Sequence, residues 1–404
     1  MKHHAHSRYR KMCSLLLLAL ALPVSACAAL QPSDPTTQIS VTYLPTATPI
    51  AQPTQPAPIA TSAAQQDVVN VALQVTPTAP PAATPTAVHF AFAPPGLSAL
   101  ITGIRHERQT WNNCGPATLS MLLSHYGRTE TQREAAAFLK PDKEDKNVSP
   151  HELVAYAESL GYGARVVAGG DVTLLKTLVQ NGLPVIAESW FIPKPDDEMG
   201  HYQLLMGYDG DTLIFYDSYE GPNLQEQVQQ FDGLWKVFNR TAVVVWTAEQ
   251  APLVQAILGE RMDDHAMNMH ALANAQAAIA ANAQDKFAWF NAGSSMLALG
   301  RKREAVDAFD AAIKLKLPWR MMWYQFGPYA AYFDQGRYAD VIELANATLG
   351  RMKVPNLEES FYWRGRAQAA LGKIEAARAD LQQALKFNPH YAEAQAALDA
   401  LKVG

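Results

Sequence analysis

Gly300, Gly336 and Gly372 stand 36 residues apart, and the residues around the outer two keep the same offsets. Between Phe287 and Pro318, the set Trp289, Gly293, Gly300, Ala305, Phe309 and Ala312 is matched by Phe361, Gly365, Gly372, Ala377, Leu381 and Ala384, with Pro389 beyond. A period of this length is one helix–turn–helix unit, in which small residues let two antiparallel helices approach and aromatics fill the seam. Such units must stack to bury their apolar faces, so residues 251–404 are expected to form an all-α solenoid.

The spacing resembles that of tetratricopeptide repeats, slightly stretched from the usual ~34 residues. Tyr329 and Val341 occupy places in the middle unit where small residues are expected, so that unit should be distorted. Ala271 and Ala278 fit the second helix of a further, poorer repeat, and Tyr391 to Leu401 reads as a capping helix. Trp319, Trp323, Tyr324, Tyr329, Tyr332 and Phe333 read mostly as core, with a few left to line a concave peptide-binding surface. An unrelated helical bundle is the alternative.

At the other end, Lys2, Arg8, Arg10 and Lys11 precede the apolar run MCSLLLLALAL, which is short of the ~20 residues that span a bilayer. This is the layout of an export signal over residues 1–26. It ends in Val24-Ser25-Ala26-Cys27, which resembles a bacterial lipobox. The resemblance implies cleavage before Cys27, lipidation of its sulfur, and a protein anchored to the outer face of the cell membrane. An ordinary cleaved signal peptide with a chance cysteine is the alternative. Residues 27–95 have linker composition: between Gln31 and Phe90 there are eleven prolines, and only Asp34 and Asp67 carry charge. Such a stretch cannot bury enough apolar surface to offset its ordering entropy.

Residues 96–250 change to a compact α+β pattern. A helix is expected from Cys114 to Gly127, a second over TETQREAAAFL, and a third opened by Ser149-Pro150. Strands follow in GARVVA, LPVIAESW, HYQLLMGYD, TLIFYDSY and TAVVVW, with the helix DVTLLKTLVQN between the first two. Helices first and an antiparallel sheet after is an α+β arrangement. The net charge of −5 comes with no clustered basic stripe, which argues against a nucleic-acid face.

Of three cysteines, Cys13 and Cys27 lie in the export segment, so the folded body holds one thiol, Cys114. A lone cysteine makes no intramolecular disulfide and is a poor basis for a metal site; no cofactor is expected. At a helix start, unpaired N–H groups and the helix dipole favour a thiolate. Gly115 would let substrate approach the backbone, and Pro116 suits the first turn. Gln109 could turn its amide toward an oxyanion shared with the Cys114 N–H. A thiolate needs a base and the base an orienter. In the hairpin around Asp209-Gly210-Asp211, His201 near the start of one strand and Asp217 at the end of the next come out as neighbours. Asp209 is the rival orienter and reads better as a turn residue, while Asp217 could instead simply cap the hairpin. His125 reads as structural at a helix end, His106 and His151 as solvated, and PKPDDEMG (193–200) as a flexible loop beside the site.

Gln109, Cys114-Gly115-Pro116, His201-Tyr202 and Asp217 together resemble, in order and spacing, the papain-like cysteine peptidases, specifically the double-glycine leader peptidases of bacteriocin-exporting transporters. The resemblance covers about 100–248. It implies a triad of Cys114, His201 and Asp217 with Gln109 in the oxyanion hole. Asn113 stands where those peptidases usually have Asp, and helical repeats follow rather than a transporter, so their substrate class does not carry over. The expected activity is thiol-dependent hydrolysis of peptide bonds, with the repeats recruiting a protein substrate or partner. Two alternatives stay open: a cell-envelope amidase or transpeptidase using the same thioester, and an inactive peptidase-like binding lipoprotein.

Overall fold

The computed structural model describes residues 91–402 apart from 143 and 196; the export signal, Cys27 and nearly all of the proline-rich stretch lie outside the described residues. After a short strand β1 (Ser98–Leu100), the helices α1 (Cys114–His125), α2 (Gln132–Leu139) and α3 (Pro150–Ser159) form in succession. Thr131 and Ser149 open the latter two through reciprocal capping boxes with Glu134 and Glu152. Then come β2 (Gly163–Val167), α4 (Val172–Gln180) capped by Asp171, β3 (Val185–Phe191), β4 (Met199–Asp209), β5 (Thr212–Asp217), β6 (Gly221–Gln227), α5 (Val228–Trp235) and β7 (Ala242–Trp246).

The strands make one sheet in the order β2-β7-β3-β4-β5-β6, with β1 added to β4, and every pairing is antiparallel. This is the expected α+β arrangement. Three elements were not legible in advance: β1, β6 and α5. Strand β6 is largely polar and half-exposed because it is the sheet edge, which hides the strand pattern. Helix α1 is buried from Gly115 to Leu123 and lies against β4, where Thr118 Oγ1 donates to the Tyr202 carbonyl at 3.1 Å. Such a helix has no polar face, so it sits as the central pillar of the core.

The remainder is helical: α6 (Ala251–Leu258), α7 (Asp264–Ala281), α8 (Lys286–Ala298), α9 (Lys302–Lys314), α10 (Gly327–Asp334), α11 (Tyr338–Gly350), α12 (Glu358–Ala370), α13 (Ile374–Phe387) and α14 (Ala392–Ala400). Gly300, Gly336 and Gly372 each turn one hairpin at φ of +74°, +72° and +74°, the left-handed region where glycine pays no steric penalty. Gly293 lies under the Phe309 ring, where a Cβ would come within 2.8 Å. The middle unit is distorted as its sequence implies. Helix α10 has 8 residues where α8 and α12 have 13. Tyr329 fills the place of the small residue and is fully buried, its hydroxyl 3.2 Å from Thr348 Oγ1 and 3.1 Å from Ser360 Oγ. The chain that a longer α10 would have used, 319–325, instead turns toward the sheet: Gln325 Nε2 donates to the Val237 carbonyl at 3.1 Å, and Tyr324 lies on Gly200.

The repeats meet the sheet elsewhere too. Asn291 Nδ2 donates to the Lys236 carbonyl at 2.6 Å, and a Cβ on Gly169 would come within 2.6 Å of the α7 backbone at Ala271. Gly169-Gly170 therefore makes a turn under that helix, with Gly169 at φ +65°. Among the described residues no helix is long and apolar enough to cross a membrane.

Candidate active site

Cys114 is the first residue of α1 and is half-buried. Asn113 precedes it as N-cap but makes no capping bond; its amide goes to Thr110 Oγ1 (3.0 Å) and Gln132 Oε1 (3.3 Å). The first-turn N–H groups of α1 thus stay open to negative charge at the sulfur. The turn leading in is set by Asn112 at φ +58°, whose side-chain amide donates to the Asp145 carbonyl while Lys140 Nζ caps its own carbonyl at 2.8 Å.

His201, 4% exposed, stands on β4 and donates or accepts at Nε2 with Asp217 Oδ2 at 2.9 Å. In the strand register Asp217 lies opposite Gln203, so the His–Asp contact is a diagonal one; the register shift at Leu205/Gly207 falls between this pair and the turn. With Nε2 committed to Asp217, Nδ1 is the nitrogen left to interact with Cys114. Asp217 is fully buried and does two things at once. Its Oδ2 holds His201, and its Oδ1 accepts from the Tyr219 and Glu220 backbone N–H groups at 2.7 and 2.8 Å. Hairpin capping and imidazole orientation are therefore not rival roles here. Asp209, by contrast, is exposed at the far end of β4.

The electrostatics follow. Burial pushes the Cys114 thiol up, but the hydrogen bond and positive charge of His201, with backbone hydrogen bonds from Tyr202 and Gly115, leave it below the ordinary thiol range. Burial alone would lower His201; its bonds to Asp217 and Cys114 and their charges raise it instead, to about 10. Asp217 is likewise pushed up by burial and brought net down by His201 and the two backbone N–H groups. These directions describe a thiolate–imidazolium pair braced by a carboxylate.

Gln109 is brought to the same place by a stitched segment. His106 Nε2 lies 2.9 Å from the Asp217 carbonyl, the Gln109 N–H donates to the Ser218 carbonyl (2.8 Å), and Arg108 Nη1 donates to the Tyr219 carbonyl (2.8 Å). Ser218 Oγ then donates to Gln109 Oε1 at 2.8 Å, which orients the amide and leaves its Nε2 as a donor. The loop carrying Asp217 thus also sets the glutamine.

Several expectations need correction. His106 is not solvated: it bonds the Asp217 carbonyl and meets Tyr216 edge-on at 5.4 Å. Gly115 does not open the backbone to substrate. Its bare side faces Tyr202 and Val148, each 3.4 Å from where a Cβ would sit, so it serves helix–sheet contact. His125 is structural, but through a bond to the Gly182 carbonyl (3.1 Å); burial lowers its pKa, which weakens any charge–dipole role. His151 is exposed, as expected. The 193–200 tract is fastened: Arg320 Nη1 donates to Asp197 Oδ1 (2.7 Å) and the Glu198 carbonyl (3.0 Å), and Met199-Gly200 already belong to β4. Sequence reasoning missed Ser218, Phe191, whose ring lies 5.0 Å from His201, and Tyr324. Only Ser218, directly after Asp217, left a local signal.

Trp111 before Cys114, Ile192 just after β3 and Tyr219 after Asp217 are exposed apolar side chains. Among the described residues no cluster of His, Cys, Asp or Glu is arranged to hold a metal.

Residues 101–243 match the Peptidase_C39 like family, and residues 287–315 and 358–391 each match a tetratricopeptide repeat, flanking the distorted middle unit. Among solved structures the chain is similar to a C39-like peptidase from Bacillus anthracis (17% identity, TM-score 0.32, covering 37% of this chain and 96% of that one). It is similar to the peptidase domain of Streptococcus ComA, a bifunctional ABC transporter involved in quorum sensing (19%, 0.30, 37% and 98%). It is also similar to MamA from Desulfovibrio magneticus (18%, 0.31, 34% and 75%). No curated protein matches the chain.

Proposed function

We propose that this chain, a C39-like peptidase domain followed by tetratricopeptide repeats, hydrolyses peptide bonds through Cys114. The observation that carries the reading is the buried His201–Asp217 pair, 2.9 Å apart at Nε2 and Oδ2, whose imidazole holds down the pKa of Cys114 at an uncapped helix N-terminus. A structural thiol has no need of a braced imidazolium.

In this mechanism the Cys114 thiolate attacks the substrate carbonyl carbon. The carbonyl oxygen becomes an oxyanion that accepts from the Cys114 N–H and Gln109 Nε2. His201 passes the proton on Nδ1 to the amine nitrogen as the C–N bond breaks, leaving a thioester and a neutral imidazole. That imidazole takes a proton from water, the resulting hydroxide attacks the thioester, and the acid product leaves with the thiolate restored. Asp217 stays ionised throughout, holding the ring and balancing its charge. The exposed Trp111, Ile192 and Tyr219 supply apolar surface for substrate side chains beside the reacting bond.

Cys114→Ala should abolish both peptide hydrolysis and iodoacetamide labelling while the thermal transition is kept. Gln109→Ala should keep labelling but lower kcat about 10²-fold. Hydrolysis surviving in Cys114→Ala would overturn the reading.

The reading also includes export and lipid attachment at Cys27, supported by the basic–apolar–small-residue order of residues 2–27, with the repeats recruiting a protein substrate or partner. Cys27→Ser should then release the protein from the membrane fraction and abolish labelling by a radioactive fatty acid; unchanged labelling would refute the anchor.

A further inference from the structure

The strand that carries His201 starts at Met199, and its approach is held by residues that are not part of the sheet-bearing domain. Gly200, directly before His201, lies opposite Trp190 in the β3–β4 register. Its missing side chain leaves a slot beside Trp190, and the ring of Tyr324 fills it. A Cβ on Gly200 would lie 2.9 Å from Tyr324 Cδ1 and 3.0 Å from Cγ. The same ring meets Trp190 edge-on at 6.0 Å and Phe238 at 6.1 Å. Burial pushes the Tyr324 phenol up, the Cys114 charge adds to the shift, and a hydrogen bond with the Gly200 backbone works against it.

Four residues earlier, Arg320 grips the loop just before β4 through Asp197 Oδ1 at 2.7 Å and the Glu198 carbonyl at 3.0 Å. Its guanidinium is itself fixed over the rings of Trp319 (4.5 Å) and Trp323 (5.4 Å). Arg320 and Tyr324 therefore seize consecutive points on the run Asp197–Gly200, one by charge and one by shape. The segment bearing them is the stretch that the middle repeat gives up by shortening α10. His201 is the next residue, and its ring must hold both Asp217 and Cys114 to work.

We propose that Arg320 and Tyr324 are positioning residues for His201, so that the repeat region completes the active site rather than only carrying a separate binding surface. The inference rests on His201 being the proton carrier of the proposed reaction. The role of Tyr324 is mainly steric, its ring filling the slot over Gly200, and its hydroxyl adds a hydrogen bond with the Gly200 backbone. The role of Arg320 needs a two-point donor, which lysine reproduces only in part.

The test uses the full chain, with the rate of Cys114 alkylation by iodoacetamide followed against pH beside peptide hydrolysis. Tyr324→Ala and Arg320→Ala should each lower kcat at least about tenfold with KM little changed, the scale expected when a reacting group is displaced by a fraction of an ångström. Both should move the thiolate titration upward and shift or broaden the NMR signal of the His201 Nε2–H proton. Tyr324→Phe, which keeps the ring and loses only the hydroxyl's bond to Gly200, should lose far less than Tyr324→Ala, and Arg320→Lys should recover part of the loss. If Tyr324→Ala fails to fold, Arg320→Ala decides, because Arg320 bonds at a half-exposed loop. Wild-type titration and imidazole signal in Arg320→Ala would overturn the proposal. Failure of the underlying mechanism looks different: His201→Ala would then leave the wild-type thiolate titration unmoved.

Discussion

Asp217 shows how one buried carboxylate is shared between fold and chemistry. Its Oδ1 takes two backbone N–H groups and its Oδ2 takes His201, so both oxygens are hydrogen-bonded and much of its burial cost is offset. The His201 pKa of about 10 depends on that charge. The ion pair should therefore persist from below the ordinary thiol range up to about 10, and activity should follow the same plateau. Asp217→Asn removes the charge that raises His201, so the alkaline limb of kcat/KM should move down in pH and the thiolate should titrate higher. A pH profile of alkylation and hydrolysis checks both limbs, and an unmoved alkaline limb would contradict the assignment. Asn can still accept from the Tyr219 and Glu220 N–H groups, so stability should change less than activity.

Among the elements, the three glycine turns and the glycines at the helix crossings do different work. Gly300, Gly336 and Gly372 supply left-handed backbone, whereas Gly293 supplies space beneath Phe309. Gly293→Ala would drive a methyl to 2.8 Å from the ring, so it should destabilise by about 1–3 kcal/mol through overpacking, even though alanine is the better helix former. A Phe309→Leu background that relieves the clash should recover much of the loss in a denaturant titration. The middle repeat reaches the same density by another route. Tyr329 replaces the small residue and bonds Thr348 and Ser360, and the helix that would have clashed is shortened. The 36-residue period was readable because it depends on local residues. That the shortened stretch would be used to hold Gly200 was not, since nothing near 319–325 in the sequence refers to residue 200.

At the level of the whole molecule, the second seam between sheet domain and repeats is built from carboxyl groups. Asn147 Nδ2 donates to Glu359 Oε1 at 3.2 Å, and the Asn356 amide donates to the Glu144 carbonyl. Asp145, Asn356 and Glu358 are at most 2% exposed. Burial raises Asp145 from 3.8 to about 7, and burial with the charges of neighbouring carboxyls raises Glu358 and Glu359 well above their ordinary range; Glu152 and Asp142 add to the shift of Asp145 and Lys140 opposes it. Groups whose folded pKa is raised contribute stability fully present below the unfolded value and lost as pH rises through the folded one. Thermal stability should accordingly decline between about pH 4 and pH 7, and Asp145→Asn should flatten that slope. A set of melting curves across this range settles it; an unchanged slope would mean the carboxyls are already charged. Because the Asp145 carbonyl also holds Asn112, two residues before Cys114, loosening of this seam as pH rises through about 7 should reach the nucleophile's turn.

Local sequence was enough to determine the helix that presents Cys114, the N-cap at Ser149, the strands of 163–246 other than β6, and the repeat period. Each depends on residues within a few positions of one another, or on a regular recurrence. It also made His201 and Asp217 neighbours, because a short turn confines a hairpin's register to a residue or two. Only the tertiary structure decided that His106 and Ser218 brace the Asp217–Gln109 loop, that Gly115 faces Tyr202 rather than the cleft, and that the loop before His201 is tied down by Arg320. These depend on contacts spanning about a hundred residues, where pairing is set by which surfaces remain free once the core has closed.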